Sequence, residues 1–126
     1  MRWNVQFYQR ENGDIPAYEF LCSLPPKLQA KAFSEIELLE KCGTALKDPY
    51  AKPLVGRKYQ GLWELRVRFS SDSARIFYFL RAGDTFILLH GFRKKTNKTP
   101  SKELERAMAY KEDYERRWKV ESNTSK

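Results

Sequence analysis

A run of charged residues at every second position stands out between residues 62 and 69. Glu64, Arg66 and Arg68 alternate there with apolar residues, so in a β-strand all three point to one face, about 7 Å apart. Arg75 follows after a short polar segment, close enough in sequence to join them. Guanidinium groups bind phosphate through paired hydrogen bonds and neutralise charge that develops on a reacting phosphate. This spacing predicts a site for a phosphodiester backbone.

The distribution of charge supports a surface that binds polyanions. The chain has a formal net charge of +8 at pH 7, and residues 52–98 hold eleven cations against three acids, which accounts for all of it. A net charge confined to one strand-rich segment indicates a binding face rather than general solubility. The end of this segment adds a dense group of cations: Arg93, Lys94, Lys95 and Lys98.

The elements before this segment are predicted from hydrophobic periodicity and turn residues. Residues 3–8 alternate as a half-buried strand does. Asp14 is expected to cap a short helix, and a second helix is expected over about Pro26–Cys42, where glycine follows. The polar side of the second helix, which includes Lys31 and Glu35, is expected to face solvent. This pair of helices is interpreted as packing material without chemistry of its own.

Three strand patterns and a last helix follow. The strands are expected at 62–69, 74–81 and 85–92, and their short, turn-rich links predict an antiparallel meander. The last helix is expected to have Thr99 as its cap and Pro100 in its first position. The predicted class is α+β, with a twisted antiparallel sheet, two N-terminal helices and a C-terminal helix.

The length fits one domain over residues 1–120, followed by a disordered polar tail at 121–126. No apolar run approaches the roughly 20 residues of a membrane span, and the N-terminus lacks the apolar block of a signal peptide. We therefore expect a cytoplasmic protein without a membrane partner.

Several enzyme classes lack their sequence signatures here. There is no P-loop, no glycine-rich dinucleotide motif, no zinc-ligand spacing and no serine-hydrolase elbow. His90 is the only histidine. It alternates with Leu88 and Phe92, which favours a structural role over that of a general base. We expect neither a metal nor a cofactor, so any catalysis must use arginine, lysine and glutamate.

These residue types suit the cleavage of RNA by its own 2′-hydroxyl. The substrate supplies the nucleophile, so the protein needs only to align the scissile phosphate and to neutralise its transition-state charge. Glu64 is the first candidate to accept the 2′ proton or to orient an arginine. A lysine crowded by other cations has a lowered pKa and is suited to protonate the leaving oxygen.

Four sequence runs carry a family resemblance: LWELR at 62–66, ARIFYF at 74–79, LLHGFRKKT at 88–96 and KTP at 98–100. Together they resemble the HigB-type, phage-derived branch of the RelE toxin superfamily, over residues 54–110. The resemblance implies a RelE-like fold and a toxin that cuts messenger RNA, usually in the ribosomal A site. It also implies a neighbouring helix-turn-helix antitoxin of the HigA type, through which alone the toxin would contact operator DNA.

Carried over by position, the working residues of relatives fall on Arg66, Arg68, Arg75 and Arg93. Glu64 stands where some relatives have a lysine. We therefore expect the toxin of a type II toxin–antitoxin pair, an endoribonuclease that inhibits translation. Four lysines are expected to bind flanking RNA: Lys58, Lys94, Lys95 and Lys98.

Two alternatives use the same charge distribution. A basic module that binds RNA or DNA without cutting it would tolerate loss of Glu64. An interaction protein whose basic face meets only an acidic protein would not bind RNA or ribosomes at physiological salt.

Overall fold

In the part of the chain that the structure describes, five strands form one sheet, and helices cover both of its faces. The computed structural model describes residues 2–95 and 98–124, with side chains described as far as residue 118. In chain order the elements are β1 (Asn4–Phe7), α1 (Pro16–Cys22), α2 (Pro26–Cys42), β2 (Ala51–Pro53), β3 (Trp63–Phe69), β4 (Asp72–Arg81), β5 (Thr85–Arg93) and α3 (Ser101–Thr124). Two short 3-10 helices lie at Gly43–Ala45 and Arg57–Tyr59.

The sheet has the strand order β1-β5-β4-β3-β2. The meander of β3, β4 and β5 is antiparallel, as predicted, and β2 adds an antiparallel edge. β1 instead pairs in parallel with β5, from Asn4 opposite Thr85 to Phe7 opposite Leu88. The predicted α+β class is confirmed, and the sheet is mixed because the first strand runs beside the last.

The two faces of the sheet build two cores. We call the face covered by α1 and α2 the first face; Leu65, Val67 and Ile76 project from it into a core that includes the inner side of α2. We call the face covered by α3 the second face; Phe77 and Phe79 project from it. Adjacent residues of a strand therefore enter different cores, which is the strand alternation that the sequence predicted.

The N-terminal helices follow the prediction except at one cap. α2 has the predicted bounds and ends at a glycine. α1 begins after Ile15, which occupies the cap position, and the carboxylate of Glu19 accepts a hydrogen bond from the Ile15 amide at 2.7 Å. The expected cap by Asp14 is wrong: its carboxylate instead accepts from Asn12 Nδ2 in the preceding turn, at 3.2 Å.

The last helix begins at Ser101, one residue after the predicted first position. The carbonyl of Pro100 accepts the amide of Glu103 at 3.1 Å, so the proline stands just outside the helix. The helix continues to Thr124, which includes part of the segment for which a disordered tail was predicted. The domain bounds at 1–120 stay a prediction. Within residues 2–95 and 98–124, no helix combines the length and apolar character that crossing a bilayer requires.

Candidate nucleic-acid interface

The charged row on β3 lies on the second face, beyond the part that α3 covers. Glu64 stands opposite Phe77, Arg66 opposite Arg75 and Arg68 opposite Ser73. Residues directly opposite in an antiparallel pair share a face, so the predicted common face is confirmed. Arg75 lies directly across from Arg66, and two guanidinium groups are therefore neighbours on adjacent strands.

Arg75 is the buried centre of this row. Its exposed fraction is 3%, and its Nε donates to Glu64 Oε1 at 3.1 Å. Its Nη1 donates to Ser73 Oγ at 2.9 Å and to the Ala74 carbonyl at 3.1 Å. Nη2 makes no hydrogen bond to any residue that the structure describes. The side chain is thus fixed in direction and keeps one nitrogen for a ligand.

The charges around Arg75 favour the binding of an anion. Burial lowers the pKa of Arg75, the carboxylate of Glu64 opposes that effect, and the charges of Arg66 and Arg68 lower the pKa further. Glu64 is itself buried, with an exposed fraction of 7%. Arg66 has a second acid beside it, since its Nη1 donates to Oδ1 of the exposed Asp48 at 3.2 Å. The three guanidinium groups still repel one another, and a bound phosphate would relieve that repulsion.

Two lysines complete the group. Burial lowers the pKa of Lys94, and the charge of Arg75 lowers it further, as expected of a lysine crowded by cations. Its amide also donates to the Ser73 carbonyl at 2.9 Å. Lys52 stands opposite Glu64 on β2. We call the following six residues the basic cluster: Lys52, Glu64, Arg66, Arg68, Arg75 and Lys94.

Sequence reasoning counted the charge of Lys52 but did not place it in the site. The segment that carries it is a strand of three residues, Ala51–Pro53, too short to show a period. Lys52 lies beside Glu64 because of the register in which β2 pairs with β3, and the sequence alone does not show that register.

A cleft opens at the edge of the sheet, where β3 extends beyond β2. Its volume is about 570 Å³, and we call it the edge cleft. Its walls come from α2, from the loop before β2 and from the basic cluster. The lining residues are Lys31, Glu35, Pro49, Tyr50, Arg66, Arg68, Ser70 and Arg75.

The polar side of α2 differs from the prediction. Glu35 has an exposed fraction of 4% although it was expected to face solvent. It is buried because the packed stripe of α2 runs through Leu28, Ala32, Ile36 and Leu39 and includes position 35 as well. Lys31 Nζ lies 3.1 Å from Glu35 Oε1. α2 therefore brings a buried carboxylate and its lysine to the edge cleft, while the absence of chemistry on this helix stays a prediction.

Arg93 is separated from the basic cluster. It stands opposite Ala74, which belongs to the core of the first face, and its Nη2 donates to Asp72 Oδ1 at 2.9 Å. The cause is a register shift between Phe77 and Tyr78, which leaves Leu89 as an extra residue on β5. Such a bulge reverses the facing of every residue after it. The structure therefore does not bring Arg93 to the arginines with which the sequence grouped it.

The remaining lysines lie outside the basic cluster. Lys58 is exposed on the 3-10 helix Arg57–Tyr59, where its ammonium lies 5.7 Å from the centre of the Tyr59 ring. Lys95 and Lys98 are exposed in the segment between β5 and α3. Their role in binding flanking RNA stays a prediction.

His90 joins β5 to α3. It is buried on the second face, and its Nε2 lies 2.7 Å from Glu103 Oε1. Its ring stacks on Phe77 at 6.3 Å. Burial lowers the pKa of His90, although Glu103 acts in the other direction. These contacts describe a structural histidine. Among the described residues, no three histidine, cysteine, aspartate or glutamate side chains lie close enough to hold a metal ion.

Comparison with known proteins gives one family. The family model described as phage derived protein Gp49-like (DUF891) matches residues 19–112. The matched segment begins in α1 and ends in α3, and it includes the whole basic cluster. No curated protein matches the sequence.

Proposed function

The chain belongs to the phage-derived Gp49-like family, a RelE/HigB-like family of toxins from toxin–antitoxin systems, and on that premise we propose that it is an mRNA endoribonuclease of the HigB type. It acts on messenger RNA bound to the ribosome and thereby inhibits translation. The observation that carries this proposal is Arg75, which is buried against Glu64 and surrounded by Arg66, Arg68 and Lys94.

The reaction is an internal transfer of the phosphodiester. The 2′-oxygen of one nucleotide attacks the adjacent phosphorus, and the bond from phosphorus to the 5′-oxygen of the next nucleotide breaks. The 2′-hydroxyl loses its proton and the leaving 5′-oxygen gains one. The products are a 2′,3′-cyclic phosphate and a free 5′-hydroxyl, and no protein atom is bonded covalently to the substrate.

The basic cluster supplies what this reaction needs. Arg75 offers Nη2 to a non-bridging oxygen, and Arg66 and Arg68 neutralise the charge that develops on the phosphate. Glu64 holds Arg75 through Oε1, while its Oε2 makes no hydrogen bond to any described residue and accepts the 2′ proton. Lys94, whose pKa is lowered by burial and neighbouring cations, donates the proton to the leaving oxygen.

The family also implies a protein partner. We propose a HigA-like antitoxin with a helix-turn-helix domain, which inhibits the toxin and brings it to operator DNA. The concentration of charge on one part of the second face supports inhibition by an acidic segment laid over the basic cluster.

Primer extension on a reporter message tests the proposal after a short pulse of expression. Wild-type protein should create discrete new 5′ ends within the translated region. Arg68→Ala should remove most of them, because it removes a charge that neutralises the reacting phosphate. Arg68 is exposed, so its loss leaves the core intact. Arg75→Lys keeps one charge but loses the paired donors, so it should cleave at least about tenfold more slowly.

Arg116→Ala is the matched control. Arg116 lies on α3, and its side chain is 68% exposed, so this variant loses the same charge away from the cleft. Equal cleavage by all variants would contradict the site. An intact message, with RNA still bound at low salt, would favour the alternative of a binding module without catalysis.

A further inference from the structure

The edge cleft contains a carboxylate with an unused acceptor. Glu35 Oε2 is fully buried and makes no hydrogen bond to any residue that the structure describes. The side chain of Glu35 is only 5% exposed. A buried acceptor without a partner costs free energy that a ligand donor can recover. Glu35 lines the edge cleft, so a ligand with N–H donors would satisfy this oxygen once the side chain turns toward the cleft.

The neighbours of Glu35 add donors on one side. Lys31 Nζ lies 3.1 Å from the other carboxylate oxygen, Oε1, and Arg68 lines the same cleft. A ligand that meets this wall thus encounters an acceptor next to cationic donors. The complementary edge carries N–H donors beside a carbonyl acceptor.

An aromatic side chain stands at the mouth of the cleft. Tyr50 is 45% exposed and lines the cleft with Arg66 and Arg68. Its carbonyl accepts the Arg66 amide at 2.8 Å, which fixes its backbone beside the basic cluster. Exposed aromatic rings next to cationic grooves are the surfaces on which single-stranded bases stack.

We propose that the edge cleft binds one guanine base of the RNA strand that the basic cluster holds. The base stacks on Tyr50, its N1–H and N2–H donate to the carboxylate of Glu35, and Lys31 donates to its O6. Adenine presents an acceptor at N1 where guanine presents a donor, so its edge meets the carboxylate with the wrong polarity. This inference rests on the proposed RNA substrate and adds a base preference to it.

The simpler explanation is that Glu35 serves only to form its ion pair with Lys31 and binds no ligand. α2 provides a control for it, because Lys41 and Glu37 form a second ion pair of the same spacing, with a distance of 3.7 Å. That pair is 58% and 60% exposed, and neither residue lines the cleft. Glu35→Gln and Glu37→Gln remove the same charge from the same helix, and they differ in burial and in whether the residue lines the cleft. A change in base preference, as opposed to a change in stability, therefore reports a contact in the cleft.

Fluorescence anisotropy with short 2′-O-methyl oligonucleotides tests the inference. These strands cannot be cleaved by the 2′-hydroxyl route, so binding is measured apart from catalysis. One oligonucleotide is all adenine, a second has one central guanine, and a third has inosine, which keeps N1–H but lacks the 2-amino group. Wild-type protein should bind the guanine strand about tenfold more tightly than the adenine strand, with inosine in between.

The variants should separate preference from overall affinity. Glu35→Gln should abolish the preference for guanine while the adenine strand binds at least as well as before, since one negative charge is lost. Glu37→Gln should keep the preference. Tyr50→Ala should weaken binding of all three strands. Equal affinity of the wild type for guanine and adenine overturns the inference, even if Glu35→Gln fails to fold.

The outcome is separable from that of the proposed nuclease. A guanine preference without any cleavage in cells supports the cleft and refutes the catalytic proposal. Cleavage with no base preference supports the nuclease and refutes the cleft. Failure of every oligonucleotide to bind at low salt overturns the cleft, whereas the nuclease, which acts on ribosome-bound message, is tested by primer extension alone.

Discussion

Replacing Glu64 by glutamine tests how strongly the buried carboxylate of the basic cluster stabilises Arg75. The side chains of Arg75 and Glu64 are 4% and 10% exposed, and Nε and Oε1 are 3.1 Å apart. Glu64→Gln keeps the shape and one hydrogen-bond acceptor. It leaves Arg75 as a buried cation that faces Arg66 without a compensating charge.

The size of the effect follows from the burial of both partners. Two unit charges about 4 Å apart attract by roughly 4 kcal/mol at an effective dielectric constant near 20. The amide of glutamine keeps a hydrogen bond worth about 1 kcal/mol. We therefore expect Glu64→Gln to lower the free energy of unfolding by roughly 3 kcal/mol, close to the loss found when one partner of a buried pair is removed.

Urea denaturation at pH 7 measures this loss, and a double-mutant cycle with Arg75→Met isolates the pair. The double variant has no buried charge at either position. The coupling free energy should therefore reach about 2 kcal/mol. Glu37→Gln, in an exposed ion pair of α2, should cost less than ~0.5 kcal/mol.

A coupling free energy below ~0.5 kcal/mol would refute the reasoning, because it would mean that the pair is screened as a surface pair is. A further check is ionic strength. The loss from Glu64→Gln should shrink only slightly in high salt, since salt screens buried charges far less than exposed ones.

Three more predictions concern other parts of the fold. Burial lowers the pKa of His90 below its ordinary 6.5, so the unfolded chain binds the proton more readily than the folded one. The midpoint of urea unfolding should therefore be highest above pH 6.5 and should fall as the pH is lowered. His90→Gln should make the midpoint depend less on pH. Ala82 has a φ of 54° in the β4–β5 turn, so Ala82→Gly should raise the free energy of unfolding by about 0.5 kcal/mol, and an unchanged or lower value would contradict the strain. A Cβ added at Gly91 would clash with the ring of Phe20 on α1. Gly91→Ala should therefore lower the free energy of unfolding by about 2 kcal/mol. An unchanged free energy would show that α1 shifts to make room for the methyl group without cost.

Local pattern was sufficient for much of the fold and for the centre of the site. The meander follows from three strand patterns with short turns between them. The common face of Glu64, Arg66 and Arg68 follows from strand alternation alone. Arg75 was also expected in the group, since a hairpin link this short brings the two strands side by side.

The failures have non-local causes. Arg93 was grouped with the cluster, but one extra residue on β5 reverses its facing, and no composition signal marks that bulge. Glu35 was assigned to solvent because it is charged, whereas the packing of α2 against the sheet includes its position. The parallel partner of β1 depends on a contact between two strands that lie about 80 residues apart in sequence, which no local period encodes.

The position of β1 also sets the order in which the molecule is completed during synthesis. β1 is made before β5, its neighbour in the described sheet, and both N-terminal helices and the rest of the meander come between them. In a nascent chain that stops before β5, β1 has no strand to pair with, and β4 lacks β5 as its second neighbour. Long-range pairings of this kind form late. The strand that carries Arg75 therefore gains its second neighbour only after β5 has been made, so the basic cluster is completed late in folding.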